Sequence, residues 1–303
     1  MAFTKIAVIG AGGALGKHFM QSLLASTEPK FQVTVLARAT SNYSAPAEHV
    51  KVLKHDLTDH TALVNSLRGA EALVLMQGTD AEFVTVSKAA IEAAIAAGVK
   101  MVMPSDYGSK DTPLFVKAVA LKPQVRDFVQ KKAQEGKITY TIVKNGPFFD
   151  IPFKVYGIDY EAKKAALFDE GNQKFHATSC VSIANAVVGI LRSPAQYANK
   201  TVYIHDFHTT QREFLSIVES EINRDGSKFE TTSLDMLELG KKSAEVLERG
   251  ERSMPNIFDA IKSAVWGKEG AADWDENDDS LALGLERKDL RTEIKRRIQS
   301  GLL

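Results

Sequence analysis

Six short apolar runs, rich in β-branched residues, recur along the first half of the chain with helix-length segments between them. They are KIAVIG (5–10), QVTVLAR (32–38), VKVLKHD (50–56), ALVLMQG (72–78), VKMVMPS (99–105) and ITYTIVKN (138–145). Helix-like segments lie at 14–26, 59–68, 81–97 and 122–135; SKAAIEAAIAAGV, for example, is alanine-rich and closed by a glycine. A sheet with one wet face alternates apolar and polar residues along each strand. Nearly continuous apolar strands separated by helices instead indicate a parallel sheet covered on both faces. The expected fold is therefore α/β, a doubly wound parallel sheet of the Rossmann type, with its ligand at the carboxyl ends of the strands.

The rhythm changes near residue 147. NGPFFDIPFKVYGIDY is aromatic with two prolines, which suits a loop-rich wall better than another strand–helix repeat. Farther on, 181–192 reads as a helix, TVYIHDF as a strand, and QREFLSIVESEI and LDMLELGKKSAEVLER as helices. The expected organisation is a dinucleotide-binding domain over 1–147 and a smaller, interleaved substrate-binding region over 148–303. Segments about 176–206 are expected to return to the first domain. KDLRTEIKRR near the C-terminus reads as a surface helix of mixed charge, and the acidic run DWDENDD (273–279) as a solvated loop.

Charge and cysteine usage narrow the class. Lys+Arg and Asp+Glu both total 38, so no global field favours nucleic acid or an anionic membrane. The single cysteine, Cys180, cannot form an internal disulfide, and its setting in ATSCVSIANAVV suggests an inert buried thiol. MAFTKIAVIG leads from its apolar stretch directly into glycines and reads as a first strand rather than a signal peptide. No apolar run approaches the length of a membrane span. A cytoplasmic protein is expected.

IAVIGAGGALG sets Gly10, Gly12, Gly13 and Gly16 between the first strand and the first helix. Leu15 breaks the GxGxxG spacing, whereas Gly10, Gly13 and Gly16 satisfy GxxGxxG. Glycine permits the tight turn and the close approach of backbone N–H groups, including those of Ala14 and Leu15, to a pyrophosphate at a helix N-terminus. An NAD-selective site commonly has an acid at the end of the second strand. Here stand Arg38, then Thr40 and Ser41, a guanidinium and hydroxyls suited to a 2′-phosphate. Asp56 after the third strand is placed to meet the adenine edge. Gln77, Gly78 and Ser105 close the fourth and fifth strands and complete the candidate cofactor set. NADP(H) is the expected cofactor.

With these residues located, the chain resembles the isoflavone reductase-like branch of atypical short-chain dehydrogenases, within the NmrA-like group, over about residues 5–220. AAIEAAIAAGVKMVMPSDYG is similar to the family's helix and strand leading to a Pro-Ser-Glu-Phe-Gly signature, here Pro104, Ser105, Asp106, Tyr107 and Gly108. KPQVRDFVQKKAQEGKITYTIVKNGPF resembles its Lys-x-x-Ile-Arg helix and the following Tyr-Thr strand with an Asn-containing turn. NKTVYIHDFHTTQREFLSIVE is similar to a later strand–helix segment. The resemblance implies an NADPH-dependent reductase of a small aromatic, phenylpropanoid- or quinone-like substrate, with the helix lysine, Lys122, as proton-transfer group. A free lysine titrates near 10.4, so neutral-pH chemistry needs partial burial or a like charge, which Arg126 one turn along could supply.

Pro123 departs from the family pattern. The residue before proline avoids the helical region, so Lys122 is expected at the helix cap, with Lys117 or Lys110 as alternative donors. Tyr107, Asn145, Phe148, Phe149, Phe153 and Tyr156 are the candidate substrate-binding residues, with Met254, Phe258 and Trp266 as an opposite wall.

Two Tyr-x-x-x-Lys spacings, Tyr140/Lys144 and Tyr160/Lys164, are set aside, because the first lies in a strand and the second after the last core strand. His205 and His208 flank Asp206 without a further ligand cluster in sequence, so a structural reading is preferred to a metal. Against the reductase stands a second class: a non-catalytic NmrA-like regulator that binds NAD(P) and a protein partner. Only that reading calls for a protein partner. Lys122 with Arg126 on the helix, and the aromatic run after 147, favour the enzyme.

Overall fold

The structure, a computed structural model, describes residues 1–223, 225–274 and 278–301. Part of the acidic run 273–279 therefore lies outside the described residues. The strands are β1 (Lys5–Ile9), β2 (Gln32–Arg38), β3 (Val50–His55), β4 (Ala72–Leu75), β5 (Met101–Met103), β6 (Thr139–Lys144), β7 (Ile158–Asp159), β8 (Lys164–Phe168), β9 (Lys174–Ala177), β10 (Lys200–Tyr203), β11 (Phe207–Thr210) and β12 (Glu230–Leu234). The helices are α1 (Ala14–Ala25), α2 (His60–Leu67), α3 (Phe83–Ala96), α4 (Pro113–Ala118), α5 (Leu121–Gln134), α6 (Cys180–Arg192), α7 (Pro194–Tyr197), α8 (Gln211–Ile222), α9 (Met236–Glu248), α10 (Met254–Trp266) and α11 (Leu290–Ser300).

Seven strands form one parallel sheet in the order β10-β6-β5-β4-β1-β2-β3. Strand order reverses between β1 and β4, so the loops that follow them diverge and leave a crevice at their carboxyl ends. Along β1, Ile6 and Val8 enter the core shared with α1 and α6, while Ala7 and Ile9 enter the core shared with α2, α3 and α5. Both faces are buried at the centre of the sheet, which is why β4 and all of β1 after Lys5 are apolar.

A third core belongs mainly to the chain beyond β6, joined by Leu114, Phe115 and Ala118 of α4. It gathers Phe149, Phe153, Tyr156, Phe175, Phe214 and Trp266 between the small sheets β11-β9 and β12-β8-β7 and helices α8 to α11. The aromatic run after residue 147 thus largely fills a core. Phe149, Phe153 and Tyr156 are almost wholly buried, with Tyr156 stacked on Phe214 at 5.0 Å between ring centroids. Of that run's rings, Phe148 and Tyr160 remain partly exposed. Similarly, Trp266 is buried while Met254 and Phe258 are exposed, so these three do not form one wall.

TVYIHDF is interrupted. The chain leaves the main sheet after β10 and turns at Asp206, whose buried carboxylate accepts from Ser179 N, Ser179 Oγ and Ser182 Oγ at 2.6–2.8 Å. It then begins β11. The C-terminal helix is not purely a surface helix either. Arg297 is buried over the Phe149 and Phe153 rings and donates to the carbonyls of Phe149 and Ile151.

Candidate active site

A cavity of about 540 Å³ opens at the strand-order reversal. Its floor is the glycine turn, Gly10, Gly12 and Gly13, and Gln77 and Gly78 after β4 form the facing wall. The glycines are sterically required. A Cβ on Gly16 would fall 2.1 Å from the Gly10 carbonyl oxygen, and one on Gly10, at φ +90°, would fall 2.6 Å from Gln77 N. Gly16 and Leu15 are buried beneath the turn, and Gly13 caps α1, whose first N–H groups have no intrahelical acceptors.

Arg38 and Ser41 line the far end of the cavity together with Tyr43. Arg38 faces Asp80 across the mouth at 3.5 Å, with both side chains more than half exposed. Thr40 and Asp56 stand outside the cavity wall. Asp56 turns back on its own loop, accepting from Thr58 N and Oγ1 at 2.8 and 2.7 Å. Tyr43, beside Gly12, lines the cavity wall.

The donor set fits a dinucleotide. Gly10, Gly12 and Gly13 leave room for a pyrophosphate, and Arg38 supplies a cation at the end of β2. Gln77 Nε2 donates to Phe83 O and Ser87 Oγ, while its Oε1 is buried with no donor among the described residues. Ser105 does not line the cavity; its Oγ donates to Gln77 O at 2.7 Å and ties the end of β5 to it.

The chain after Ser105 is locked to the end of β6. Asn145 Oδ1 accepts from Gly108 N at 2.9 Å, and Gly108 O accepts from Asn145 N and Gly146 N. Asn145 is fully buried, so its role is to clamp this loop rather than to contact a substrate. Gly108, at φ +146°, leaves space for Phe115 and for Lys122 Nζ, which would lie 3.8 Å from a Cβ there. Lys122 Nζ donates to the Tyr107 carbonyl oxygen.

Lys122 lies inside the first turn of α5 rather than at its cap, because the chain enters through Val119–Ala120 and Lys122 N already donates to Val119 O. Pro123 follows in the same turn, where a missing N–H leaves no helix acceptor unsatisfied. Burial pushes the Lys122 ammonium down to about 8. Asp106 opposes that shift, and Lys144 and then Arg126 add to it. Arg126 is thus a minor source of the shift, since it is itself paired with Asp106 and Asp111 at 2.6 and 2.7 Å.

The alternative donors are engaged elsewhere. Lys110 Nζ donates to Asp273 O, and Lys117 pairs with Glu248 at 2.5 Å. The Tyr107 ring enters the core under α6, where burial pushes its phenol far up and leaves the hydroxyl without a partner among the described residues. Its backbone carbonyl, not its ring, faces Lys122. Cys180 is buried and pushed up to about 12, first by burial and then by Asp150.

Sequence reasoning set Lys144 aside as half of a Tyr-x-x-x-Lys spacing and did not single out Asp111. Lys144 lies at the end of β6, buried, 3.3 Å from Asp106 and 3.5 Å from Asp111. The available signal was a lysine ending the strand ITYTIVKN, because a cation at the end of a buried strand needs an anion nearby.

His176, His208 and Asp273 bring three potential metal ligands together. The His176 and His208 rings, however, lie 4.1 Å apart and 6° from parallel. Imidazole lone pairs lie in the ring plane, so those of two stacked rings run side by side and do not converge on one ion. Trp274 stacks on the His176 ring at 4.4 Å, and the group is an aromatic stack.

Residues 3–252 match the description of the NmrA-like family. An oxidoreductase from Aspergillus flavus, aprR, is 25% identical over 253 residues, covering 81% of this chain and 82% of that protein. Quinone oxidoreductase 2 of Escherichia coli is 30% identical over 144 residues, 46% of this chain and 48% of the relative. The structure of leucoanthocyanidin reductase from Vitis vinifera in binary complex with NADPH superposes with a TM-score of 0.76 at 15% identity, covering 97% of this chain and 99% of that one. At that identity the likeness establishes a shared fold. Among the described residues, no helix is long and apolar enough to cross a membrane.

Proposed function

The chain belongs to the NmrA-like family, and we propose that this NADP(H)-dependent oxidoreductase reduces a small aromatic, quinone-like or phenylpropanoid-like substrate, with Lys122 as its proton donor. One observation carries the reading. Lys122, whose Nζ donates to the Tyr107 carbonyl oxygen beside the Gly108 turn, is buried enough to be pushed down to about 8. The relatives that are named for quinone reduction or are NADPH-bound reductases point to the same chemistry.

In this reading the glycine turn and Gln77 hold the dinucleotide, and Arg38 with Ser41 receives its 2′-phosphate. NADPH supplies the hydride when bound. Lys122 keeps its proton at Nζ, oriented by the Tyr107 carbonyl, and gives it to the substrate oxygen that becomes a phenol or alcohol. With a value of about 8 the ammonium form outnumbers the amine by roughly ten to one at pH 7, yet it releases its proton far more readily than a free lysine.

The test is NADPH oxidation screened over quinones and aromatic carbonyls, followed by Lys122→Ala. Turnover should fall by about 10²–10⁴-fold with NADPH affinity unchanged. For the parent enzyme, the rate should fall on the alkaline side as pH rises through about 8, because the donor then loses its proton. Undiminished turnover in the variant would remove Lys122 from the mechanism.

A further inference from the structure

The side chains around Lys122 form a closed ring of alternating charge. Asp106 Oδ2 meets Arg126 Nη1 at 2.6 Å, and Arg126 Nη2 meets Asp111 Oδ2 at 2.7 Å. Asp111 Oδ1 meets Lys144 Nζ at 3.5 Å, and Lys144 Nζ returns to Asp106 Oδ1 at 3.3 Å. Each carboxylate thus gives one oxygen to each cation, and the ring sums to zero charge. Asp106 and Lys144 are nearly inaccessible, Arg126 is mostly buried, and Asp111 alone, at 42%, reaches solvent. The four members come from four places: the end of β5, the segment before α4, the second turn of α5 and the end of β6.

We propose that this ring is the positioning device of Lys122, holding the Tyr107 carbonyl against its ammonium and balancing the charges that the ammonium meets. The inference rests on the reading of Lys122 as proton donor. Two features support it. Asp106 precedes Tyr107, and Arg126 follows Lys122 by one helical turn, so the Asp106–Arg126 pair joins the strand end that accepts the Lys122 hydrogen bond to the helix that donates it. The ring also brings an anion and two cations to bear on Lys122 in opposition: Asp106 against Lys144 and Arg126.

The other charges near α5 are engaged elsewhere. On α3, Lys88 lies over Phe128 and Glu92 faces Lys132, farther along the helix. Asp127 is an exposed neighbour of Arg126. On α4, Lys117 faces Glu248, and before it Lys110 is held by the Asp273 carbonyl.

A scaffold that merely held the loop would be weakened by loss of any member. A ring that also balances charge makes a signed prediction. Asp106→Asn removes the anion and leaves two cations facing Lys122, so its titration midpoint should fall by at least about one unit. Lys144→Met removes a cation, so the midpoint should rise by a similar amount.

The measurement is NMR of the full-length protein carrying lysine labelled with ¹³C at Cε, with and without NADP⁺. The Lys122 signal is assigned by its loss in Lys122→Arg. The alkaline limb of turnover should move with it. Asp111→Asn, at the half-exposed corner, is the mild variant should Asp106→Asn fail to fold; it should lower the midpoint by less. Shifts of the same sign in the anion and cation variants, or no shift, would overturn the proposal. If Lys122→Ala leaves turnover intact while the opposite shifts are observed, the ring stands and the assigned chemistry falls.

Discussion

The glycine turn after β1 and the aromatic run after β6 are the two most distinctive stretches of this chain, and they act in different ways. The turn works through its backbone. Gly16 and Gly10 leave gaps that a Cβ would close to 2.1 and 2.6 Å, so their spacing already fixes what they are for. The aromatic run works through side chains, and an aromatic ring serves a core as readily as a binding wall. Phe149, Phe153 and Tyr156 went into the core with Phe214 and Trp266, and Phe148 and Tyr160 stayed at the edge. A backbone motif can be located from spacing, whereas a side-chain cluster acquires its role only when burial is known.

The contrast breaks most visibly at Phe153. It is fully buried, meets Phe214 edge-on at 5.1 Å and lies under Arg297. Phe153→Ala should cost about 3–5 kcal/mol of stability in denaturant unfolding, through lost contacts and a cavity, with NADPH affinity unchanged in the folded protein. A variant that kept its stability and lost substrate affinity instead would return this ring to the binding wall.

Arg38→Ala should do the converse. Its side chain is mostly exposed, so stability should stay within about 0.5 kcal/mol. NADPH binding should weaken by about 1.5–3 kcal/mol, roughly ten- to a hundredfold, while NADH binding holds. Fluorescence titration of both cofactors reads this directly. Equal weakening of the two would mean that Arg38 does not contact the 2′-phosphate.

Much of the main sheet was legible, and for the same backbone reason. The six expected strands overlap β1 to β6 and begin within about two residues of them, because two-sided burial forces continuous apolar runs. The helix α4 was not legible: six residues that open on Pro113 carry too little periodicity. Nor were β7 and β9, at two and four residues. At the site, Lys122 was reached through family resemblance, but its position inside the helix was not, since the preference of a residue before proline yielded to the turn made by Val119 and Ala120. Lys144 was weighed only with Tyr140, and Asp111 was passed over, because the meaning of the two is mutual. Neither is informative until the ends of β6 and β5 are brought side by side.

The smallest effect at neutral pH belongs to the histidine stack, and it tests the aromatic half by a different route. Burial, with His205 and His208 beside it, pushes His176 down to about 3. Burial likewise pushes His205 down to about 4, against the pull of Asp278. A free imidazole titrates near 6.5, so between about 6.5 and 4 the unfolded chain binds protons that the folded stack refuses. Stability present above pH 6.5 is therefore lost progressively as pH falls through that window. His176→Phe keeps an aromatic ring against Trp274, and the Ala272 carbonyl still accepts from the backbone N–H of residue 176 at 2.7 Å. That variant should unfold much like its parent at pH 7 and lose less stability on transfer to pH 5. The glycine turn has no part in the stack, so NADPH affinity measured at the two pH values should not distinguish variant from parent. If parent and variant lose equal stability between pH 7 and 5, the acid sensitivity of this half lies in some other group, and the rings act by packing alone.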